Sequence, residues 1–423
     1  MSIAFSNALS GLTADATAIN VVSENLANLN TTGYKDEQVS FEDLVNQSLS
    51  GFSNVNSISG STIARTNQEF TQGTLQTTGG AFDAAIQGGG FFVLRDTSGQ
   101  QLFTRQGNFQ VTSTGEVMTS SGQHVEGWNA VNGVLSTNGV TSDLVVPASL
   151  SSIPVATTQF SLTANLNANA AVGSPDATFS SPVQIYDAEG NAHTLTVTYT
   201  ETAPNTWSYA VTIPSADVGG TGTTTTLGSG GTLTFDGNGK LQSPAPGAGS
   251  GDIQIPLTLA NGANIGNPTG TLTWNLYDAA GNPTISQNTQ ASTNLSNTQD
   301  GSQSGSLVGV SIGTGGQLTA NFSNGTTQAV GQIALATVLN PETMQQLDGN
   351  SFAVTGATAA PVIGTPSTGA RGSISGGSLE TSTVDIATEF TNLLQYERGY
   401  QANSKVVTTE DQVIQTTLAL ITG

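Results

Sequence analysis

The 423-residue chain contains no cysteine, so disulfides and thiolate metal sites are excluded. It has only 8 lysines and arginines against 29 acidic residues, a formal net charge of −21. So few cations cannot line a groove that tracks phosphates, which argues against nucleic acid and against an anionic membrane surface. No run of about eighteen apolar residues occurs, so no membrane-spanning helix or membrane insertion is expected. The start, Met1-Ser2-Ile3-Ala4-Phe5, has neither a basic n-region nor an apolar h-region and reads as lacking a secretory signal peptide. These absences leave a cytoplasmic protein or one exported without a cleaved signal. Apolar residues make up only 36% of the chain, while 51 glycines imply many turns. All 14 prolines fall between Pro147 and Pro366, leaving both ends free for long helices. The length suggests about three domains.

The ends carry the clearest pattern. From Thr383 to Ile421, apolar residues recur at alternating steps of four and three: Ile386, Phe390, Leu393, then Tyr400, Val407, Ile414, Leu418 and Ile421. Glu397, Ser404 and Asp411 interrupt the stripe, and Gly399 is the one interior glycine. Near the N-terminus, Phe5, Leu9, Leu12, Ala16, Ile19 and Leu26 repeat the spacing, with Val22 close to the missing position and Gly33 as a C-terminal stop. Such heptad seams mark helices that bury a narrow face against other helices. Two seam-bearing helices, one at each end, most simply pair with each other. The alternative is two ordinary amphipathic helices lying on a core. Almost nothing else in the chain has a helical period, so no helical layer awaits them within one copy. Burial between copies fits them better.

Between the ends the texture is β. Residues 37–71 read as an extended connector with one short helix near Phe41–Leu49. From Thr74 onwards, short apolar runs separated by turn signals indicate an antiparallel β domain. Beyond Pro154, alternation through Val183, Ile185, Leu195, Val197 and Tyr199, and again through Trp207, Tyr209, Val211 and Ile213, marks a second β domain. Residues 151–300 hold nine acidic residues and one lysine, a solvated acidic surface. Gln287–Gly305 is polar and reads as a linker, after which strand texture resumes at Leu307. The expected fold is mainly β with α-helical termini, in nested discontinuous domains. Residues 1–30 and 378–423 form the helical layer, 31–75 and 365–377 the connector, 76–148 and 304–364 an inner β domain, and 149–303 an inserted outer β domain. Nesting suits the tendency of chain termini to lie close together.

A search for chemistry returns little. Gly88-Gly89-Gly90 leads into an apolar strand rather than a helix, and no Lys-Ser/Thr closes it, so it reads as a bulge or tight turn, not a phosphate loop. Asp236-Gly237-Asn238-Gly239 lacks the EF-hand glutamate and flanking helices and reads as a hairpin turn. His124 and His193 stand alone, with no paired-ligand spacing. Counting does not exclude a carboxylate pair of the glycosidase kind, but the acids sit mostly beside Gly, Asn and Ser in turns. No catalytic, cofactor or metal residue is assigned.

Three stretches together carry a family resemblance. Asn25-Leu26-Ala27-Asn28-Leu29-Asn30-Thr31-Thr32-Gly33-Tyr34-Lys35 resembles the N-terminal signature of the bacterial flagellar rod and hook proteins. Gly90-Phe91-Phe92-Val93 with Thr104-Arg105-Gln106-Gly107-Asn108-Phe109 resembles their shared β-domain motif. Ser378 to Val384-Asp385, with Tyr400-Gln401-Ala402-Asn403-Ser404-Lys405, resembles their C-terminal signature. Tyr186-Asp187-Ala188-Glu189-Gly190 with His193 is similar to the inserted domain of the hook members, and Thr383 departs from the family's usual asparagine. The size and the insertion at 149–303 favour a hook subunit over a rod subunit.

The resemblance implies a structural, non-enzymatic subunit of a hollow, curved, extracellular tube that acts as a universal joint. The terminal helices would form a coiled-coil axial layer, with the two β domains outside. It further implies export through the flagellar type III apparatus, and contacts with the distal rod, the hook cap and the hook–filament junction protein. Two rivals are another axial subunit of the flagellum and a secreted β-rich adhesin or carbohydrate-binding protein. Removing residues 1–30 or 384–423 would separate the last of these, since an adhesin would keep its binding.

Overall fold

The computed structural model describes residues 3–44, 61–147, 149–246 and 252–422. The chain divides into two compact units. One comprises Met1–Ala148, Gly309–Ala320 and Gln328–Gly423; the other comprises Ser149–Val308 and Asn321–Thr327.

The first unit holds both terminal helices, α1 (Ile3–Ala27) and α2 (Ile386–Thr422), which pack against each other. At about 1.5 Å per residue, the 37 residues of α2 extend roughly 55 Å. Helix α1 stops at Ala27, six residues before the expected stop at Gly33. Gly33 instead serves the turn that follows, with φ of 66°. Glu37–Leu44 is a strand paired antiparallel with Ser61–Gln68, so the helix expected near Phe41–Leu49 is absent over its described part. Residues 45–49 lie outside the described residues. Val39 and Phe41 alternate with polar neighbours there, a period that favours a strand over a helix.

The β part of this unit centres on Phe91–Arg95, buried over its first four residues. It pairs antiparallel with Gln101–Thr104 on one side and His124–Asn129 on the other. Phe91, Phe103, Trp128 and Phe352 share one core cluster, and Phe70 packs edge-on against Phe91 and Phe352. Gly88 and Gly90, both with positive φ, make the turn into this strand. Two short ladders tie the flanks of the β region to the chain ends: Leu75–Thr77 with Ser378–Glu380, and Ala84–Gln87 with Ser373–Gly376.

The second unit contains two five-stranded sheets. One is an antiparallel meander from Thr178–Tyr186 through Ala192–Ala203, Thr206–Pro214 and Thr224–Phe235 to Leu241–Ser243. Asp236 caps the last hairpin turn by accepting N–H bonds from Asn238 and Lys240, both 2.9 Å. The other sheet is mixed: Gln159–Asn167 runs parallel to Thr271–Asn275 and to Ile285–Asn288. Buried Trp207, Tyr199, Phe160 and Trp274 fill the core, with Phe160 stacked on Trp274 at 6.0 Å. Part of the expected linker is sheet: Ile285–Asn288 and Thr293–Gln299 both pair with Gln159–Asn167. Backbone ladders hold these strands, and the exposed side chains of Thr293–Gln299 can stay polar.

Candidate assembly site at the paired termini

Asn25, in the last turn of α1, has no exposed surface. Its Nδ2 donates to Glu37 O (2.8 Å) and to Glu389 Oε1 (3.2 Å). Its Oδ1 accepts from Glu37 N–H (3.0 Å) and Tyr34 O–H (3.2 Å). All four amide bonds are made, and they tie the end of α1 to Tyr34 in the following turn, to the backbone of Glu37 and to α2. The turn itself is held by Thr31 Oγ1 donating to Asn28 Oδ1 (3.0 Å). Gly33 then passes within van der Waals reach of the Arg105 backbone. A Cβ at Gly33 would lie 2.6 Å from the Arg105 carbonyl carbon, so no side chain fits. Gly107 is equally confined, since a Cβ there would meet Ala84 O at 1.6 Å.

This turn delivers Lys35 into the protein interior. Its Nζ lies 2.7 Å from Glu380 Oε1, and neither side chain is exposed. Nζ also donates to Thr71 O. Arg105 Nη1 binds the second Glu380 oxygen at 3.3 Å, Gly73 N–H donates to Oε1 at 2.8 Å, and Arg105 Nη2 donates to Gly88 O at 2.8 Å. The Arg105 guanidinium also lies over the Phe91 ring, 5.5 Å from its centroid. One carboxylate thus gathers four distant segments. Burial pushes the Lys35 ammonium down from its ordinary range, against the opposing pull of Glu380.

Entry into α2 is equally specified. Thr383 Oγ1 accepts Asp36 N–H at 3.0 Å and donates to Asp36 Oδ1, so this threonine ties the segment before the strand to the segment before the helix. Asp385 caps α2 through Thr388 N–H at 2.8 Å, which holds its carboxyl below the ordinary range. Val384 is buried beside it. Burial pushes the Glu389 carboxyl up, as it does Glu37, whose like-charged neighbour Glu24 adds to the effect.

The helices run antiparallel. Asn25 meets Glu389, Asp15 accepts from Asn403 Nδ2 at 2.9 Å, and positions 11 and 399 approach Asn403 and Asp15. A Cβ at Gly11 would stand 2.7 Å from Asn403 Nδ2, and one at Gly399 would stand 3.0 Å from Asp15 Oδ1. The facing stripes are therefore Gly11, Asp15, Ala18, Val22 and Asn25 on α1, and Glu389, Asn392, Tyr396, Gly399 and Asn403 on α2. Each is displaced by about one residue from the apolar seam read in the sequence. The seams do not pair with each other within the chain. Small and polar side chains let the helices approach closely, and the larger apolar groups point elsewhere.

Leu9, Ile386, Phe390, Tyr400, Ile414 and Leu418 are all exposed, between 38% and 55%. Phe5, Leu12, Ile19, Leu26, Leu393 and Val407 are half-buried. Gln401 and Ala402 are exposed, while Phe91, Phe92, Arg105 and Gly107 are buried in the β region. Every residue from 411 to 420 is exposed, including Val413 and Leu420. In the antiparallel register this end of α2 runs past the described residues of α1.

Sequence reasoning singled out Lys35, Arg105 and Asn25, placed Glu380 only within the C-terminal signature without giving it a role, and did not name Glu389. It also missed Gly11, although a glycine inside a helix costs about 1 kcal/mol and so flags a close approach. The remaining motif lies in the second unit. Asp187 sits in the turn between two meander strands, and its Oδ2 accepts from Asn191 (3.0 Å) and Asn261 (3.0 Å) and lies 3.4 Å from His193 Nε2. Burial opposes its ionisation, but these bonds outweigh it and hold the carboxyl well below the ordinary range. His193 thus belongs to a hydrogen-bonded turn.

Family models match the chain in three places: a flagella basal body rod protein model at residues 5–35, a flagellar hook protein FlgE/F/G D1 domain at 85–158, and a flagellar basal body protein FlaE D2 domain at 165–407. The flagellar hook protein FlgE of Escherichia coli (strain K12) is 31% identical over 99% of this chain and 100% of its own length. That of Treponema pallidum (strain Nichols) is 31% identical over 97% and 98%. A crystal structure of Helicobacter pylori flagellar hook protein FlgE2 aligns with a TM-score of 0.48 and 16% identity, covering 71% of this chain and 99% of that one. Asn25, Gly33 and Lys35 fall inside the first matched segment, Arg105 inside the second, and Glu380 and Glu389 inside the third, and the similarity to the curated relatives runs nearly end to end. The chain belongs to the flagellar hook protein family.

Proposed function

We propose that the chain is the structural subunit of the flagellar hook, and that it polymerises through its paired terminal helices into the hollow curved tube that transmits torque from rod to filament. One observation carries the assembly route. The helices satisfy each other through a small, polar stripe, and this leaves an interrupted apolar stripe exposed or half-buried and the end of α2 at the surface. Monomeric proteins rarely leave such a face uncovered, and helices owe most of their stability to packing. Leu9, Leu12, Ile19, Ile386, Phe390, Leu393, Tyr400, Val407, Ile414 and Leu418 form the contact between copies, with Phe5 and Leu26 at its margins.

In this reading residues 1–30 and 378–423 make the axial layer, and 31–75 with 365–377 connect it to an inner β domain of 76–148 and 304–364. Residues 149–303 form the outer domain. Their polar, glycine-rich faces would let subunits slide as the tube bends. The distal rod, the hook cap, the hook–filament junction protein and the type III export apparatus are the further partners. The role is one of packing and mechanics rather than catalysis.

Negative-stain microscopy of the purified full chain tests this. Curved hollow tubes are expected, and a chain lacking residues 384–423 should stay dispersed with its β units folded. A stable monomer whose two helices resist protease would sink the proposal.

A further inference from the structure

Beside the helix pair lies an acidic cleft lined by Asp36, Glu37, Asp385, Glu389, Asn392 and Tyr396. Part of this acidity has a local role: Asp385 caps α2, and carboxylates favour a helix N-terminus. Glu389 goes further. It lines the cleft and is 6% exposed, its Oε1 is held by Asn25, and its Oε2 is buried with no hydrogen-bond partner among the described residues. A buried carboxylate oxygen left unpaired is costly and calls for a donor.

A cation is the donor that would also offset the charge of the acidic cleft, and within the paired helices cations are scarce. Helix α1 has none, and α2 has only Arg398 and Lys405. Both are exposed, and neither has an ion-pair partner among the described residues. Lys35 and Arg105 are already bound to Glu380. Arg398 lies nine residues beyond Glu389, about two and a half turns, which places it on the opposite face of α2 from the cleft. Lys405 lies seven residues further on, about two turns, and shares that face.

We propose that the Arg398 and Lys405 face of one copy docks onto the acidic cleft of the next copy. This inference rests on the polymer reading and gives it a specific contact. The arrangement has the property that an open polymer needs. Two different complementary patches on opposite sides of one element make a head-to-tail contact, which propagates, whereas a self-complementary patch closes into a dimer. A guanidinium is also suited to holding a carboxylate with charge-assisted hydrogen bonds.

The test is a charge exchange in the full chain, read by sedimentation and negative-stain microscopy. Circular dichroism confirms that each variant keeps the parent fold. The R398E/K405E chain should need at least about tenfold more protein to form tubes, the order by which interfacial charge pairs shift association. Glu37→Lys with Asn392→Lys, which places two ammonium groups in the cleft, should also weaken assembly. An equal mixture of the two variants should form tubes at concentrations where neither does alone, because each supplies the complement the other lacks. R398E/K405E tubes at the parent's concentration would overturn the proposal, and so would a mixture no better than its components. A parent chain that forms no tubes would instead count against the hook reading itself.

Discussion

Neutralising Glu380 tests how the two ends are anchored to the β region. In Glu380→Gln the Lys35 ammonium and the Arg105 guanidinium would remain in place, with side-chain exposures of 0% and 5%, and would lose their shared counter-charge. Stranding a buried charge in this way costs about 3–5 kcal/mol, a large share of the roughly 5–15 kcal/mol that holds a domain together. At about 1.4 kcal/mol per decade, hydrogen exchange in Phe91–Arg95 should accelerate by roughly two to four orders of magnitude where it proceeds through unfolding of the unit. Exchange in Ala192–Ala203 of the second unit should not change. Lys35→Met should cost less, because Arg105 and Glu380 would still be paired. The sign with pH also follows. Burial lowers the Lys35 pKa, so in E380Q the unfolded chain binds more protons than the folded one, and the loss should ease as pH rises towards the alkaline range. Acceleration of less than about tenfold, or equal acceleration in both units, would refute the reasoning.

Three further outcomes follow from the geometry. Gly11→Leu should push α1 from α2, because even a Cβ at that position stands 2.7 Å from Asn403 Nδ2; faster exchange along residues 8–18 and loss of tubes should accompany it, with the β units intact. Glu37 and Glu389 have raised folded-state values, so their contribution to stability is full below the ordinary glutamate range of about 4 and is lost as pH rises through the raised values; Glu389→Gln should flatten the pH dependence of exchange at the helix junction. Asp187 has the opposite sign. Its contribution holds above the ordinary aspartate value of about 4 and fades as pH falls below it, and Asp187→Ala should loosen the 186–192 turn and abolish that dependence in the second unit.

The strands of the second unit were legible because one of their faces is buried. Ala192–Ala203 alternates buried and open positions along most of its length, and the residues repeat that period. Thr293–Gln299 was not legible. It is exposed at most positions, its pairing depends on the backbone of a strand more than a hundred residues away, and polar side chains leave no period to read. The Lys35–Glu380 pair was hidden for a related reason. The partners stand 345 residues apart, and a lysine in a sequence gives no sign that it will be buried. Only the confined glycines beside it, Gly33 and Gly107, hinted that backbone would pass close by.

The helices teach the subtler point. Hydrophobicity located both of them and assigned each a stripe, but the stripe that pairs within the chain lies about one residue away. A stripe of Gly11, Asp15, Ala18, Val22 and Asn25 contains too little large apolar surface to register in a hydrophobic pattern. Its fit comes from close approach and from two polar contacts, Asn25 with Glu389 and Asp15 with Asn403. Such contacts fix register at little cost when each group finds its partner, but they supply little burial energy. The energy resides in the neighbouring stripe of Leu9, Ile386, Phe390 and Ile414, which one copy leaves at its surface. Covering these side chains is worth about 25 cal/mol per Å² removed from water, and on the assembly reading another copy supplies that cover. On the assembly reading, register is therefore set inside the chain by polar contacts, and cohesion between chains by apolar ones. A pattern search finds the second because it weighs large side chains, and it overlooks the first because close packing is written in small ones.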